Sequence, residues 1–304
     1  MVPHHTPVML EEVKAALNIK SGGNYIDCTV GEGGHSLAIC SAVKPPPRLL
    51  GIDLDEDALL TARPRLEGMA TLVKGSYRFV KNLAEQNGFS PADGILIDLG
   101  LSSLQIETAR KGFSFNNLGP LDMRFDRHQK LTAGQIINSY GERELADLFY
   151  QLGEENKSRR IAKALVKSRP INTTFELSDI VKKVVGKRPQ GAIHQATRTF
   201  QALRMATNRE LENIENGLED AIGALATGGR VAVISYHSLE DRLVKKILAR
   251  ESASCICKPG IPICACKQEP RVKRVNRRVI RPAEEEIAQN PRSRSAKLRV
   301  AERI

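Results

Sequence analysis

Asp27, Gly31, Glu32, Gly33, Gly34 and Asp53 are the residues whose types and spacing point most directly to chemistry. In Tyr25-Ile-Asp-Cys-Thr-Val-Gly-Glu-Gly-Gly-His-Ser36 a half-buried strand pattern runs into a glycine crook and then into helical spacing. Glycines let the backbone turn tightly and approach a ligand, and a helix that follows begins with free N–H groups. Arg48-Leu-Leu-Gly-Ile-Asp53 is a short apolar run ending in a carboxylate twenty residues past Gly33, where a ribose-binding acid belongs in a doubly wound sheet. A glycine-rich turn alone is often only a turn. The paired acid makes this one a nucleotide-type site.

What the motif lacks narrows the ligand. The dinucleotide fingerprint has a third glycine where this chain has Ser36, and it makes room for a pyrophosphate. Asp27, Glu32 and Asp53 crowd carboxylates around the crook; they repel a pyrophosphate and suit a cationic ligand with ribose hydroxyls. S-adenosylmethionine, a sulfonium nucleoside, fits better than NAD.

The elements that must position these groups alternate. Helical spacing covers residues 8–17. Strand patterns follow near 24–30, 48–53, 70–74 and 94–99, separated by helical patterns near 34–43, 55–66 and 77–87. Such alternation predicts a parallel sheet with right-handed crossovers, whose ligands sit beyond the C-terminal strand ends. The crook, Asp53, Gly75-Ser-Tyr77 and Asp98 all fall at such ends. From about 106 to 207 no buried strand is evident and helical periodicity recurs near 132–139, 143–151, 156–168, 176–185 and 196–206. The sheet pattern resumes with a helix near 208–226, the turn Thr227-Gly-Gly229, a strand over 231–235, a helix over 239–249 and strand-like runs at 272–280 and 297–301. The expected fold is therefore α/β, a doubly wound, mostly parallel Rossmann-like sheet built from 1–105 and 208–304, with an inserted all-helical domain over 106–207.

At 304 residues the chain exceeds the size at which one core keeps growing. No apolar stretch approaches the roughly 20 residues that span a bilayer, and the first residues carry no secretory pattern; the expectation is a soluble, cytoplasmic protein with no membrane association and six reduced cysteines. Net charge is +11, and residues 267–304 carry twelve Lys or Arg against five Glu. Arg271, Lys273, Arg274, Arg277, Arg278 and Arg281 form a basic run, an electrostatic footprint for polyanions. Alone, such a run reads as a solvated surface; beside the expected ligand site, it makes nucleic acid the favoured partner.

Asp98-Leu-Gly-Leu-Ser-Ser103 with Gln105, Gly112-Phe-Ser-Phe115, Gly119-Pro-Leu-Asp-Met-Arg124, Ala196-Thr-Arg-Thr-Phe-Gln-Ala-Leu-Arg204, Ser235-Tyr-His-Ser-Leu-Glu-Asp241 and Asn290-Pro-Arg-Ser-Arg294 together resemble the RsmH (formerly MraW) family, in the same order over nearly the whole chain. These are bacterial enzymes that methylate N4 of a cytidine in the decoding region of 16S ribosomal RNA. The resemblance implies a methyltransferase sheet, an RNA-recognition role for the insertion, and 16S ribosomal RNA in the small subunit as partner. It also implies S-adenosylmethionine contacts at Gly33, Gly34, His35, Asp53, Tyr77, Asp98 and Gln105. Tyr77 stands where the family commonly has Phe, and Leu104 where it usually has Pro.

Cytosine's amine donates its lone pair into the ring, so it needs its N–H groups engaged and its methyl donor held in line. Asp98 is the expected catalytic acceptor, with His237 and then Ser235 as further candidates; capping or buried turn roles are the alternatives for all three. Asp122, Arg124, Arg198 and Arg204, with Phe200, are the candidate RNA contacts. Cys255-Ile-Cys257 and Cys264-Ala-Cys266 bring four thiols close in sequence. Their one-residue spacing departs from the usual zinc pattern, so the expectation is reduced thiols and no metal. A nicotinamide oxidoreductase and a non-catalytic RNA-binding assembly factor are the competing readings. Whether the chain acts as a homodimer is left open by the sequence.

Overall fold

The computed structural model describes residues 7–187, 189, 193–257 and 266–304. Two compact units emerge, one of Met1–Gly100 with Leu211–Ile304 and one of Leu101–Glu210. Residues 101–105 and 208–210, placed with the sheet from the sequence, cluster with the helical unit.

In the first unit, helix α1 (Leu10–Leu17) precedes an alternation of strands and helices: β1 (Asn24–Asp27), α2 (Gly34–Cys40), β2 (Arg48–Asp53), α3 (Glu56–Leu66), β3 (Thr71–Lys74), α4 (Val80–Gln86) and β4 (Ala92–Asp98). The second unit carries α5 (Ser103–Glu107), α6 (Ala133–Ser139), α7 (Glu142–Gly153), α8 (Ser158–Lys167), α9 (Thr174–Val185) and α10 (Thr197–Asn208). Then come α11 (Glu210–Ala224), β5 (Leu225–Ser235), α12 (Ser238–Glu251), β6 (Val272–Arg274), α13 (Glu284–Gln289) and β7 (Lys297–Arg303).

The seven strands lie in the order β3-β2-β1-β4-β5-β7-β6. β1 to β5 pair in parallel, and β7 runs antiparallel to both β5 and β6. Strand order reverses between β1 and β4, so the switch-point crevice, where ligands gather in such sheets, opens beyond Asp27 and Asp98.

Side chains two apart share a face, which explains the near-continuous apolar strands of a sheet covered on both sides. Ile26, Leu50, Ile95, Val231 and Val233 pack with residues of α4, α11 and α12, such as Val80, Leu218 and Val244. Their neighbours Tyr25, Leu49, Leu96, Ala232 and Ile234 pack on the other face with Val13 and Leu17 of α1 and Ile39 of α2. Each such buried aliphatic side chain contributes about 1.5–3 kcal/mol.

Three elements depart from their sequence patterns. β1 stops at Asp27 rather than running to 30, because the chain folds there around the Asp27 carboxylate. β5 begins at Leu225, and the expected turn Thr227-Gly-Gly229 is a bulge within it: pairing jumps from Ala92–Leu225 to Gly94–Arg230, with Gly228 at φ +81°. The run at 272–280 is a strand only over Val272–Arg274, and Ile280 rejoins the sheet through a single bridge to Leu298. The short helices α5 and α13 show no periodicity long enough to read from sequence.

The helical unit has its own core, including Phe149, Ile161, Leu165, Leu177, Phe200 and Leu203. Thr132 with Gln135 and Thr173 with Glu176 form capping boxes that start α6 and α9. Among the described residues its only sheet pairing is the isolated bridge Pro120–Thr173.

Candidate active site

The crook between β1 and α2 is organised by carboxylates. Asp27 is fully buried, accepting a 2.6 Å bond from Ser36 Oγ and a 3.1 Å bond from the Thr29 N–H. Burial raises its pKa, against the Ser36 bond and the nearby His35 that lower it. Ser36 is thus a partner the buried acid requires, which is why a hydroxyl occupies the fingerprint's third glycine position. Ser36→Ala is expected to lower stability by about 1–3 kcal/mol, read from the denaturant midpoint; an unchanged midpoint would contradict this role.

Gly33 holds φ +81°, and a Cβ there would stand 3.2 Å from Leu66 Cδ1 on α3. At Gly34 the close neighbour is the chain's own Pro7, whose Cγ would lie 2.5 Å from a Cβ. Arg65 of α3 donates to the Glu32 carbonyl at 2.8 Å. At the end of β2, Asp53 accepts from the Gly31 N–H through Oδ2 and from the Asp55 N–H through Oδ1, both at 2.8 Å. Burial first, and then the charges of Asp55 and Asp27, push its pKa up to about 6 despite those bonds.

Asp98 closes β4, and its own N–H donates to Thr29 Oγ1 at 2.8 Å, tying the ends of β1 and β4 together. Tyr236 O–H donates to Asp98 Oδ1 at 2.9 Å. Burial and then the Asp98 charge hold this phenol well above its ordinary pKa, so it stays a donor. The parallel register sets Asp98 beside Ile234, two residues before Tyr236. Gly100 lets the ring come in, since a Cβ there would stand 3.2 Å from Tyr236 Cδ2. Across the carboxylate, His35 Nε2 lies 3.5 Å from Asp98 Oδ2, an ion-pair distance too long for a full hydrogen bond. Burial lowers the His35 pKa, but Asp98, Asp27 and Glu286 outweigh it and the net shift is upward. Both His35 nitrogens are buried with no hydrogen-bond partner among the described residues. That orphaned imidazole, with the carboxylates of Asp27, Asp53 and Asp98 nearby, fits a polar, cationic ligand seated at the crook.

Sequence reasoning passed over Tyr236 and Thr29. Tyr236 lies in the polar run that closes β5, but only the pairing of β5 with β4 brings it to Asp98. Ser235 and His237, named instead, have structural work. Ser235 is buried, with Oγ 3.5 Å from the Lys297 carbonyl of β7. His237 caps α12: its Nδ1 accepts from the Glu240 N–H at 3.4 Å, while Nε2 lies 3.0 Å from Glu240 Oε1 and out of line for a hydrogen bond. Asp241 clamps β7 through Arg299 at 2.7 Å and Lys297 at 3.4 Å. Tyr77 is half-buried beside α11, where a Cβ at Gly217 would stand 2.4 Å from its Cδ2.

In the helical unit, Gln105 is 6% exposed and forms the α5 capping box with Ser102, accepting the Ser102 N–H at 3.1 Å. Asp122 and Arg124 face each other at 2.7 and 2.9 Å, and Arg124 Nη1 also donates to the carbonyls of Arg127 and Gln129. These bonds make Arg124 an organiser of its own loop, with its side chain still 21% exposed. Arg198 donates to the Glu154 carbonyl at 3.1 Å. Arg204 forms two 2.8 Å bonds to Glu210, with both side chains almost buried, so its guanidinium is engaged inside the unit. Phe200 is 4% exposed and meets Phe115 edge-on, so it is a core residue and not a platform for a base. Cys255, Cys257 and Cys266 converge, while Cys264 lies outside the described residues.

Comparison with known proteins adds the context for this geometry. The model of the MraW methylase family matches residues 2–304. The ribosomal RNA small subunit methyltransferase H of Dehalococcoides mccartyi is 50% identical over 303 residues, covering 99% of this chain and 86% of the relative. Its counterpart from Thermomicrobium roseum is 48% identical, covering 99% and 94%, and that from Brevibacillus brevis 45% identical, covering 99% and 98%.

Proposed function

Because the chain belongs to the MraW methylase family, we propose that it methylates N4 of a cytidine in the small-subunit 16S ribosomal RNA, with Asp98 gripping the acceptor amine. It is an S-adenosylmethionine-dependent ribosomal RNA methyltransferase. When bound, S-adenosylmethionine supplies a methyl group on a cationic sulfur.

The observation that carries this reading is the Asp98 carboxylate at the switch point. Tyr236 and His35 each engage one of its oxygens, and each oxygen retains lone-pair capacity. A carboxylate so fixed can accept an N–H of the cytosine amine, which keeps electron density on nitrogen and fixes the angle of attack. Tyr236 orients it from one side; His35, buried with nitrogens to spare, faces both Asp98 and the crook. Asp53 offers its remaining lone pairs to ribose hydroxyls, and Gly33, Gly34 and Tyr77 complete the proposed cofactor contacts. For Gln105 the proposed contact runs through a side chain that already serves a cap.

In this reading, RNA is held through its phosphates. Arg274, Arg277, Arg278 and Arg281 are exposed, and the helical unit presents exposed Arg159 and Arg160 on α8. Such contacts supply affinity without reading sequence. No helix among the described residues is long and apolar enough to cross a membrane, and work on ribosomal RNA fits the cytoplasm.

Incubation with labelled S-adenosylmethionine and either assembled small subunits or naked ribosomal RNA tests this function. Label is expected in the RNA; none in either substrate would favour a binding protein without turnover. The cofactor site carries its own test. Asp53 must be ionised to attract a sulfonium and accept hydroxyls fully, and its pKa is about 6. Affinity is therefore expected to be highest above that value and to fall below it, by at most roughly tenfold per pH unit. Calorimetry from pH 5 to 8 reads this, and Asp53→Asn should remove the step centred near 6. A wild-type profile flat through that range would contradict the assignment.

A further inference from the structure

We propose that Cys255, Cys257 and Cys266 form a thiolate site for one zinc ion, which staples the long connection between α12 and β6. Their three sulfurs lie within 4.8 Å of one another, and Cys266 Sγ stands 3.9 Å from Cys255 Sγ. Two thiolates bound tetrahedrally to zinc at about 2.3 Å sit roughly 3.8 Å apart, so the separation already matches a shared metal. The Ile256 N–H approaches Cys266 Sγ at 3.4 Å. A backbone donor on sulfur stabilises its thiolate and fixes its direction, as partners behind metal ligands do.

The one-residue spacing that argued against a metal is resolved by the return of the chain. Cys266 is brought back to the Cys255–Cys257 turn because the base of the loop is closed. The Arg271 N–H donates to the Glu251 carbonyl at 2.8 Å, its guanidinium meets the Glu251 carboxylate at 3.0 Å, and Gln268 Nε2 reaches the Arg250 carbonyl at 3.4 Å. The connection needs such an anchor. Its described residue Ile256 is 52% exposed and gives it no apolar hold.

Binding replaces three S–H protons by one Zn(II), releasing three protons and leaving a complex of charge −1 with a fourth tetrahedral position for water or a further thiol. Lys267 and Arg271 adjoin the site in sequence. The role is structural. α12 starts at the C-terminal end of β5 and runs fourteen residues to Glu251, about 21 Å at 1.5 Å per residue, so the thiols follow its far end and not the end that holds Tyr236.

Metal analysis of the full-length protein, purified in reductant without chelator, is expected to find about one zinc per chain. Zinc should be lost in Cys255→Ser and Cys266→Ser and kept in Cys40→Ser, a cysteine of the sheet core. If a variant folds poorly, the wild type supplies a second reading: stripping zinc with a chelator should expose three more thiols to a thiol reagent, and adding zinc chloride should protect them again. Cobalt(II) in its place should show thiolate-to-metal charge-transfer absorption. Any of three results would overturn the proposal: no zinc bound or taken up, zinc retained in both Cys255→Ser and Cys266→Ser, or a Cys255–Cys266 disulfide in the reduced preparation.

Discussion

Replacing Asp98 by Ala is expected to cut methyl transfer by about 10²–10⁴-fold, the range for losing a positioned acid or base, while costing only the roughly 1–3 kcal/mol of stability that a Tyr236 hydroxyl left without its acceptor implies. The chain still folds without this carboxylate. β4 is held through its backbone pairs with β1 and β5, and the Asp98 N–H that reaches Thr29 survives the substitution. What disappears is the acceptor for the amine, the hydrogen-bond acceptor of Tyr236 and the charge that faces His35. Tyr236→Phe removes one 2.9 Å bond to the same carboxylate. A hydrogen bond to a charged group is worth about 1.5–3 kcal/mol, so that variant should lose roughly 10–100-fold and keep its affinity for S-adenosylmethionine. Near-normal turnover in Asp98→Ala would remove the residue from the mechanism.

Arg204→Ala is expected to destabilise the helical unit by about 3–5 kcal/mol, the usual result of removing one member of a buried ion pair. The side chains of Arg204 and Glu210 are 12% and 8% exposed, and two parallel bonds of 2.8 Å join them. Without the guanidinium, the desolvated Glu210 carboxylate loses both of these bonds. Replacing both residues by apolar ones of similar size, Arg204→Met with Glu210→Leu, should recover much of the loss. Denaturant unfolding measures this. An arginine that served RNA phosphates would behave otherwise, leaving the unfolding midpoint unchanged and reducing the salt dependence of RNA binding.

The contrast between these residues shows what the sequence could and could not convey. Sheet elements were legible because apolar runs at the right spacing admit few topologies, and glycines with a carboxylate twenty residues on mark a switch-point crevice. Asp98 was legible for the same reason, as a polar group closing an apolar strand. Tyr236 was not, because its link to Asp98 depends on the register of two strands separated by more than a hundred residues, and on Gly100 leaving space for its ring. Arg204 and Phe200 looked like RNA contacts because arginine and phenylalanine serve both interiors and interfaces. Only burial separates the two uses, and burial follows from which face of each helix meets the core. The cysteines pose the same problem at short range: spacing within each pair argued against a metal, while the approach of Cys266 to Cys255 and Cys257 depends on the Arg271–Glu251 closure.

The most direct test of the central claim is mass spectrometry of nucleosides released from small-subunit ribosomal RNA after reaction with the wild-type enzyme and deuterium-labelled S-adenosylmethionine. The labelled methyl is predicted in N4-methylcytidine, and predicted to be absent when Asp98→Ala is used at the same concentration. Label in a different nucleoside, or an equal yield from the Asp98→Ala enzyme, would contradict the account.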